Sequence, residues 1–160
     1  MGYVSKLREL IGTHPIIMVG ANVLVVDEEN RLLLQLRADN KCWGLPGGSM
    51  DLGESLEEVA RRELFEETNL VANELTLFNI FSGEKFYYKY PHGDEVYNVV
   101  ATFVCKDYEG EVKKDELEVL DLRFFPIENL PTKISPPDFP IINQYAASQG
   151  GMKGEDYSIR

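Results

Sequence analysis

Between positions 54 and 67 the chain carries Glu54, Arg62, Glu63, Glu66 and Glu67, shortly after Gly47-Gly48. Wound into a helix at roughly 100° per residue, this stretch sets Leu56, Val59, Ala60, Leu64 and Leu70 on one face. Glu63 and Glu67 fall near the middle of that face, Glu66 lies beside them and Arg62 at its edge. Carboxylates in the centre of a packing stripe are costly unless something compensates them. Arg61 and Arg62 can pair with some of the acids, but neither easily reaches the centre of the stripe from its own position. A divalent cation is the natural compensation, because hard oxygen ligands at i and i+4 suit magnesium or manganese. The alternative for the helix alone is a solvated acidic stripe. The preceding loop favours the cation: Gly47-Gly48 allows the backbone to approach a ligand closely and turn its carbonyls inward, and Glu54 suits the positive end of the helix dipole.

These groups need elements to position them. Ser55 is a good N-cap and Glu58 completes a capping box, so a helix is expected over about 56–68, ended by Asn69 in the left-handed conformation. Residues 3–11 suit a short amphipathic helix, 16–26 a buried strand, 27–30 a polar turn and 31–37 the return strand. Residues 38–54, rich in Gly with Pro46, read as loop. Strands follow near 74–81, 84–90, 95–106 and 122–127, with a Pro-His-Gly-Asp turn at 91–94 and a C-terminal helix at about 138–148. One long helix between groups of strands, with another near the end, predicts an α+β sandwich around a mixed sheet. Residues 1–149 are expected to form one domain and 150–160 a loose tail.

Bulk properties narrow the class. The 160 residues suffice for one core. The formal charge of -11 argues against a general nucleic-acid binder, which needs a basic face. It also means that an anionic substrate requires an intervening cation. No apolar run is long enough to span a membrane, and the start, MGYVSKLREL, lacks the apolar core of a signal peptide. Two cysteines, Cys42 and Cys105, fit packing roles in a reducing compartment, and a cytoplasmic location is expected.

The box resembles the signature of the Nudix hydrolase family, MutT-like: Gly, five residues, Glu, seven residues, Arg-Glu-aliphatic, any, Glu-Glu, any, Gly-aliphatic. Here it reads Gly48, Glu54, Arg62-Glu63-Leu64, Phe65, Glu66-Glu67, Thr68, Asn69-Leu70, matching eight of nine specified positions. Asn69 replaces a Gly at a helix end that Asn tolerates. The resemblance implies a Nudix-type α/β/α sandwich and hydrolysis of a nucleoside diphosphate linked to X by attack of water on one phosphorus. By motif position, Glu63 and Glu67 resemble the main magnesium or manganese ligands, with Glu66 in support and the Gly47 carbonyl added. Arg62 and Glu54 would hold the loop, with Gly48, against the helix. The general base would be a helix carboxylate, Glu66 or Glu67, or a later acid among Asp115, Glu116 and Glu118, of which Glu118 is preferred.

Downstream of the box, Lys85 and Phe86 stand where relatives acting on ADP-ribose carry Pro, whereas Tyr87 and Tyr88 match a Tyr typical of those acting on diadenosine polyphosphates. A nucleoside or dinucleoside polyphosphate is therefore expected, with ADP-ribose or a nucleotide sugar as the alternative. Tyr87 or Tyr88 would stack on the base, although strand alternation puts only one of them in a pocket. Arg37 would meet a phosphate or form a surface salt bridge. Trp43 is pocket wall or core. A non-catalytic nucleotide-binding module on the same scaffold would tolerate losses in the box, which this chain does not have. An isoprenoid diphosphate isomerase would need a catalytic Cys and insertions that the compact length does not accommodate. A small nucleotide is the expected partner, and a homodimer is left open.

Overall fold

A computed structural model describes residues 2–150. Its elements are α1 (Tyr3–Ile11), β1 (Ile16–Val25), β2 (Arg31–Arg37), β3 (Trp43–Gly44), β4 (Gly47–Ser49), α2 (Leu56–Thr68), β5 (Val71–Phe81), β6 (Tyr87–Lys89), β7 (Glu95–Glu109), β8 (Val119–Pro126) and α3 (Phe139–Ser148). Short 3-10 turns occupy 84–86 and 127–129. The expected tail beyond Gly150 lies outside the described residues.

β1 and β7 pair in parallel at the centre of a mixed sheet of order β4-β1-β7-β5, with β6 also on β7. A second, antiparallel sheet runs β3-β2-β8. β2 does not return along β1 as expected; it meets β1 only at the Val26–Leu32 bridge. The reason is that both strands are apolar on both faces. Ala21, Val23, Val25 and Leu33 face one core, and Leu24, Leu32 and Leu34 face the other. Each strand therefore needs cover on both sides, and the turn at Asn30, with φ of 59°, sends β2 into its own sheet. The segment read as loop over 38–54 contains β3 and β4, and β4 hydrogen-bonds to β1 at Gly20, Ala21 and Asn22.

The two cores are closed by helices on opposite sides, giving the α/β/α sandwich. α2 buries Val59, Ala60 and Leu64 against Ala21, Val23, Ala101 and Phe103. α3 buries Ile141, Ile142, Tyr145 and Ala146 against Leu24, Leu34, Phe81 and Phe86. Among the described residues, no helix is long and apolar enough to cross a membrane. Cys42 and Cys105 are free thiols.

α2 has the expected limits. Glu58 N donates to Ser55 Oγ at 3.1 Å and Ser55 N to Glu58 Oε2 at 2.8 Å. Asn69 adopts the left-handed conformation, with φ of 66°. Ser55→Ala removes half of this reciprocal cap and should lower the unfolding free energy by about 1 kcal/mol. The check is a lower urea midpoint at unchanged slope; an unmoved midpoint would show that the box adds nothing to the helix.

Candidate active site

α2 presents its acids to the Leu45–Gly48 loop, which β4 fastens to the central strand β1. Close approach requires glycine at two places. A Cβ on Gly48 would lie 2.4 Å from Glu63 Oε1, and one on Gly47 would lie 2.5 Å from the Ala21 carbonyl oxygen. Any side chain at 48 would thus push the Glu63 carboxylate away.

Arg62 organises the outer part of the site. Its Nε and Nη2 donate to the two oxygens of Glu54 at 2.7 and 2.8 Å, a bidentate charge-assisted pair. Its Nη2 also donates to the Ser49 carbonyl at 3.1 Å. Glu54 in turn accepts from Asp51 N at 2.8 Å, so the loop is tied to the helix through one guanidinium. Arg62 holds the Glu54 carboxyl below the usual carboxylate range. Contrary to the helix-wheel expectation, Arg62 also reaches Glu63: Nη1 donates to Glu63 Oε1 at 2.8 Å, with Glu66 Oε2 at 3.5 Å. The long, flexible arm spans what a wheel of fixed positions forbids. Arg61 points elsewhere and donates to the Ala72 carbonyl.

Glu67 is different. It is 4% exposed. Gly47 N donates to Oε1 at 3.2 Å, and the Gln35 amide donates to Oε2. Both donors are neutral, and the nearest charge is another carboxylate, Glu63. Burial, reinforced by Glu63, pushes the Glu67 carboxyl well above the ordinary range. Burial and Glu63 also raise Glu66, with a smaller contribution from Glu118.

The carboxylates of the box do not all meet as they stand. Among the described residues, no three acidic, His or Cys side chains close on one point in ligating geometry. Arg62 draws Glu63 and Glu66 toward itself, leaving the Glu63–Glu67 pair as the compact acidic feature. Glu118 is exposed near the start of β8, and its carbonyl accepts from Ala38 N at 3.0 Å.

A cleft opens beside Gly47 and Gly48, lined among others by Arg37, Asn40, Tyr88, Tyr90, Asn98 and Asp138. Arg37 pairs with Asp39 through Nε at 2.9 Å and Nη2 at 2.8 Å, so the salt bridge and the place on the cleft wall coexist. The Tyr88 hydroxyl accepts from Asn40 Nδ2 at 3.1 Å. Tyr87 is not a cleft residue. Alternation along β6 turns it to the opposite face, where its ring lies 5.1 Å from that of Tyr97 and its hydroxyl donates to Glu95. Trp43 is core, edge-on to Phe125 at 4.8 Å.

Sequence reasoning missed Gln35, Asn98 and Asp138. The signal for Gln35 was a lone amide inside Leu-Leu-Leu-Gln-Leu, and for Asp138 an acid directly after Pro136-Pro137. Asp138 Oδ2 accepts from Leu45 N at 3.0 Å, and desolvation pushes its carboxyl up to about 6.

The model of the NUDIX domain matches residues 17–145. The chain belongs to the Nudix hydrolase family. Within that family of phosphoanhydride hydrolases it is similar to the ADP-ribose pyrophosphatase of Methanocaldococcus jannaschii, 30% identical over 142 residues, covering 86% of this chain and 77% of that protein. It is also similar to the nucleoside triphosphatase NudI of Escherichia coli, 37% identical over 101 residues, 58% of this chain and 71% of that protein. The solved MutT Nudix hydrolase of Burkholderia pseudomallei shares the fold, with a TM-score of 0.69 at 24% identity over 82% of this chain and 98% of that one.

The burial of Glu67 makes a prediction for this Nudix chain without metal. A carboxyl whose folded-state value is raised contributes its stability in full at acid pH and loses it as pH rises through the folded value. Glu67→Gln keeps the shape and removes that loss. The Gln amide sets its NH2 against one of the two donors at every pH, so the charge is read from pH dependence: in chelator, the variant's thermal midpoint relative to the parent's should rise as pH goes from below the ordinary carboxyl value of 4.5 to neutral. A difference that does not change with pH would show that the Glu67 charge is no burden on the fold.

Proposed function

We propose that the chain is a metal-dependent pyrophosphohydrolase, with residues 1–149 as its working domain. Its substrate is a nucleoside diphosphate linked to X, of the nucleoside or dinucleoside polyphosphate class. The observation that carries this reading is the Glu63–Glu67 pair, whose buried inner member has only neutral donors, beside a cleft lined by Tyr88 and Arg37. A buried acid held only by neutral donors fits a divalent ion, and an all-oxygen donor set fits magnesium or manganese.

Glu63 and Glu67 would hold the ion, with Glu66 and the Gly47 carbonyl. When bound, such an ion neutralises phosphate charge and makes water easier to deprotonate. The remaining work belongs to the side chains. Glu66 or Glu118 accepts the proton of the attacking water, with Glu67 the inner alternative. Arg62 holds Glu54 and Ser49, and so keeps Gly48 against Glu63. Phosphoryl transfer needs such alignment and charge balance more than covalent help. The base enters the cleft and stacks on Tyr88, while Arg37 faces a phosphate from the rim. A second reading, hydrolysis of ADP-ribose, is favoured by the name of the Methanocaldococcus relative.

Hydrolysis should disappear in excess chelator and return with magnesium or manganese; full activity in chelator overturns the metal reading. In a side-by-side assay, nucleoside or dinucleoside polyphosphates should be cut with higher kcat/KM than ADP-ribose, and the reverse order selects the second reading. Tyr88→Ala should raise KM for the preferred nucleotide roughly tenfold, the scale of one lost stacking contact. Tyr87→Ala should leave KM almost unchanged. Equal effects of the two would remove stacking from the account.

A further inference from the structure

Gln35 stands in the middle of β2 between Leu34 and Leu36 and is 2% exposed. Its Nε2 donates to Glu67 Oε2 and lies 3.4 Å from the Leu45 carbonyl oxygen. Its own Oε1 is buried with no hydrogen-bond partner among the described residues. In this orientation both N–H groups have an acceptor; turned over, the amide oxygen would face the Leu45 carbonyl and would find a donor only in a protonated Glu67. The chain therefore keeps a buried orphan acceptor in order to aim two N–H groups.

A leucine here would match its neighbours and avoid that cost. A lysine or arginine would also donate, but its positive charge would occupy the place where the acids otherwise attract a cation. A glutamine supplies N–H groups at the required reach and leaves the net charge of the acids intact. With Gly47 N on Oε1 and Gln35 on Oε2, the Glu67 carboxylate is gripped from the loop and from β2 while being carried by α2. The second contact of Gln35, to Leu45, fixes the loop to the same amide.

We propose that Gln35 is a positioning residue that sets the Glu67 carboxylate and the Leu45–Gly47 loop in one geometry for a divalent cation, without neutralising them. This rests on the reading of Glu67 as a metal ligand. Partners that orient a ligand in this way commonly change metal affinity about 10- to 100-fold when removed.

The test is calorimetric titration of Mn2+ into the intact chain at one fixed pH, for the parent and for Gln35→Met, which keeps length and apolar bulk and loses the donor. The dissociation constant should weaken about 10- to 100-fold, and the Mn2+ concentration for half-maximal hydrolysis should shift by a similar factor. In chelator the variant should stay folded with a lower thermal midpoint, because a buried carboxyl oxygen loses a donor, so affinity is compared at a temperature where both chains are folded. If Gln35→Met fails to fold, Gln35→Asn keeps the amide, withdraws it by one methylene and should weaken Mn2+ binding in the same direction. Parent-like Mn2+ affinity in a folded variant overturns the proposal and leaves the metal reading standing. A parent chain that binds no Mn2+ overturns both.

Discussion

The arrangement depends on one costly act, the burial of the Glu67 carboxylate on the packing face of α2. A charge there can be tolerated only if donors reach it from elements fixed in advance. Gly47 supplies one N–H from the loop, and the Gln35 amide supplies another from β2. The Gly47 N–H is in place only when β4 lies along β1, which demands glycines where a Cβ would strike Ala21 or Glu63, while the Gln35 amide is carried by β2. The loop composition, the pairing of β4 and the polar break in β2 follow from that one group.

Charge is handled differently on the two sides of the site. On the outer side, Arg62 gathers Glu54, Glu63 and Glu66 and binds loop to helix. On the inner side no cation among the described residues stands against Glu67, and neutral dipoles do the holding. Neutral dipoles satisfy the Glu67 carboxylate without cancelling its charge, whereas the Arg62 guanidinium offsets the charge of the acids around it.

Local features were legible in the sequence. The limits of α2 follow from Ser55, Glu58 and Asn69, whose signals act within a few residues of themselves. The placement of Glu67 also followed, because helical periodicity alone puts it on the apolar face. What stayed hidden depends on distant partners or on reach. Gln35 looks like one polar residue in a leucine run until Glu67, 32 positions away, is folded over it. Asp138 gains meaning only through Leu45, 93 positions away. Arg62 escaped the wheel because its arm is long, and the second sheet escaped because a doubly buried strand carries no mark of its neighbour. Alternation did anticipate that Tyr87 and Tyr88 part company, but not which of them would face the cleft.

The parallel pairing of β1 with β7 also bears on the order in which the molecule can be made. Asn22, opposite Gly47 in the β4 register, is hydrogen-bonded by Thr102 Oγ1 at 2.6 Å, across 80 positions of chain. Closing a loop of that length costs about 4 kcal/mol of chain entropy before any contact repays it. α2 and its cap are local and can form early, but the strand that anchors the glycine loop has its central neighbour only after β7 has been synthesised and docked. A nascent chain that has emerged only through residue 70 thus holds every acid of the box and still lacks the scaffold that brings the loop to them.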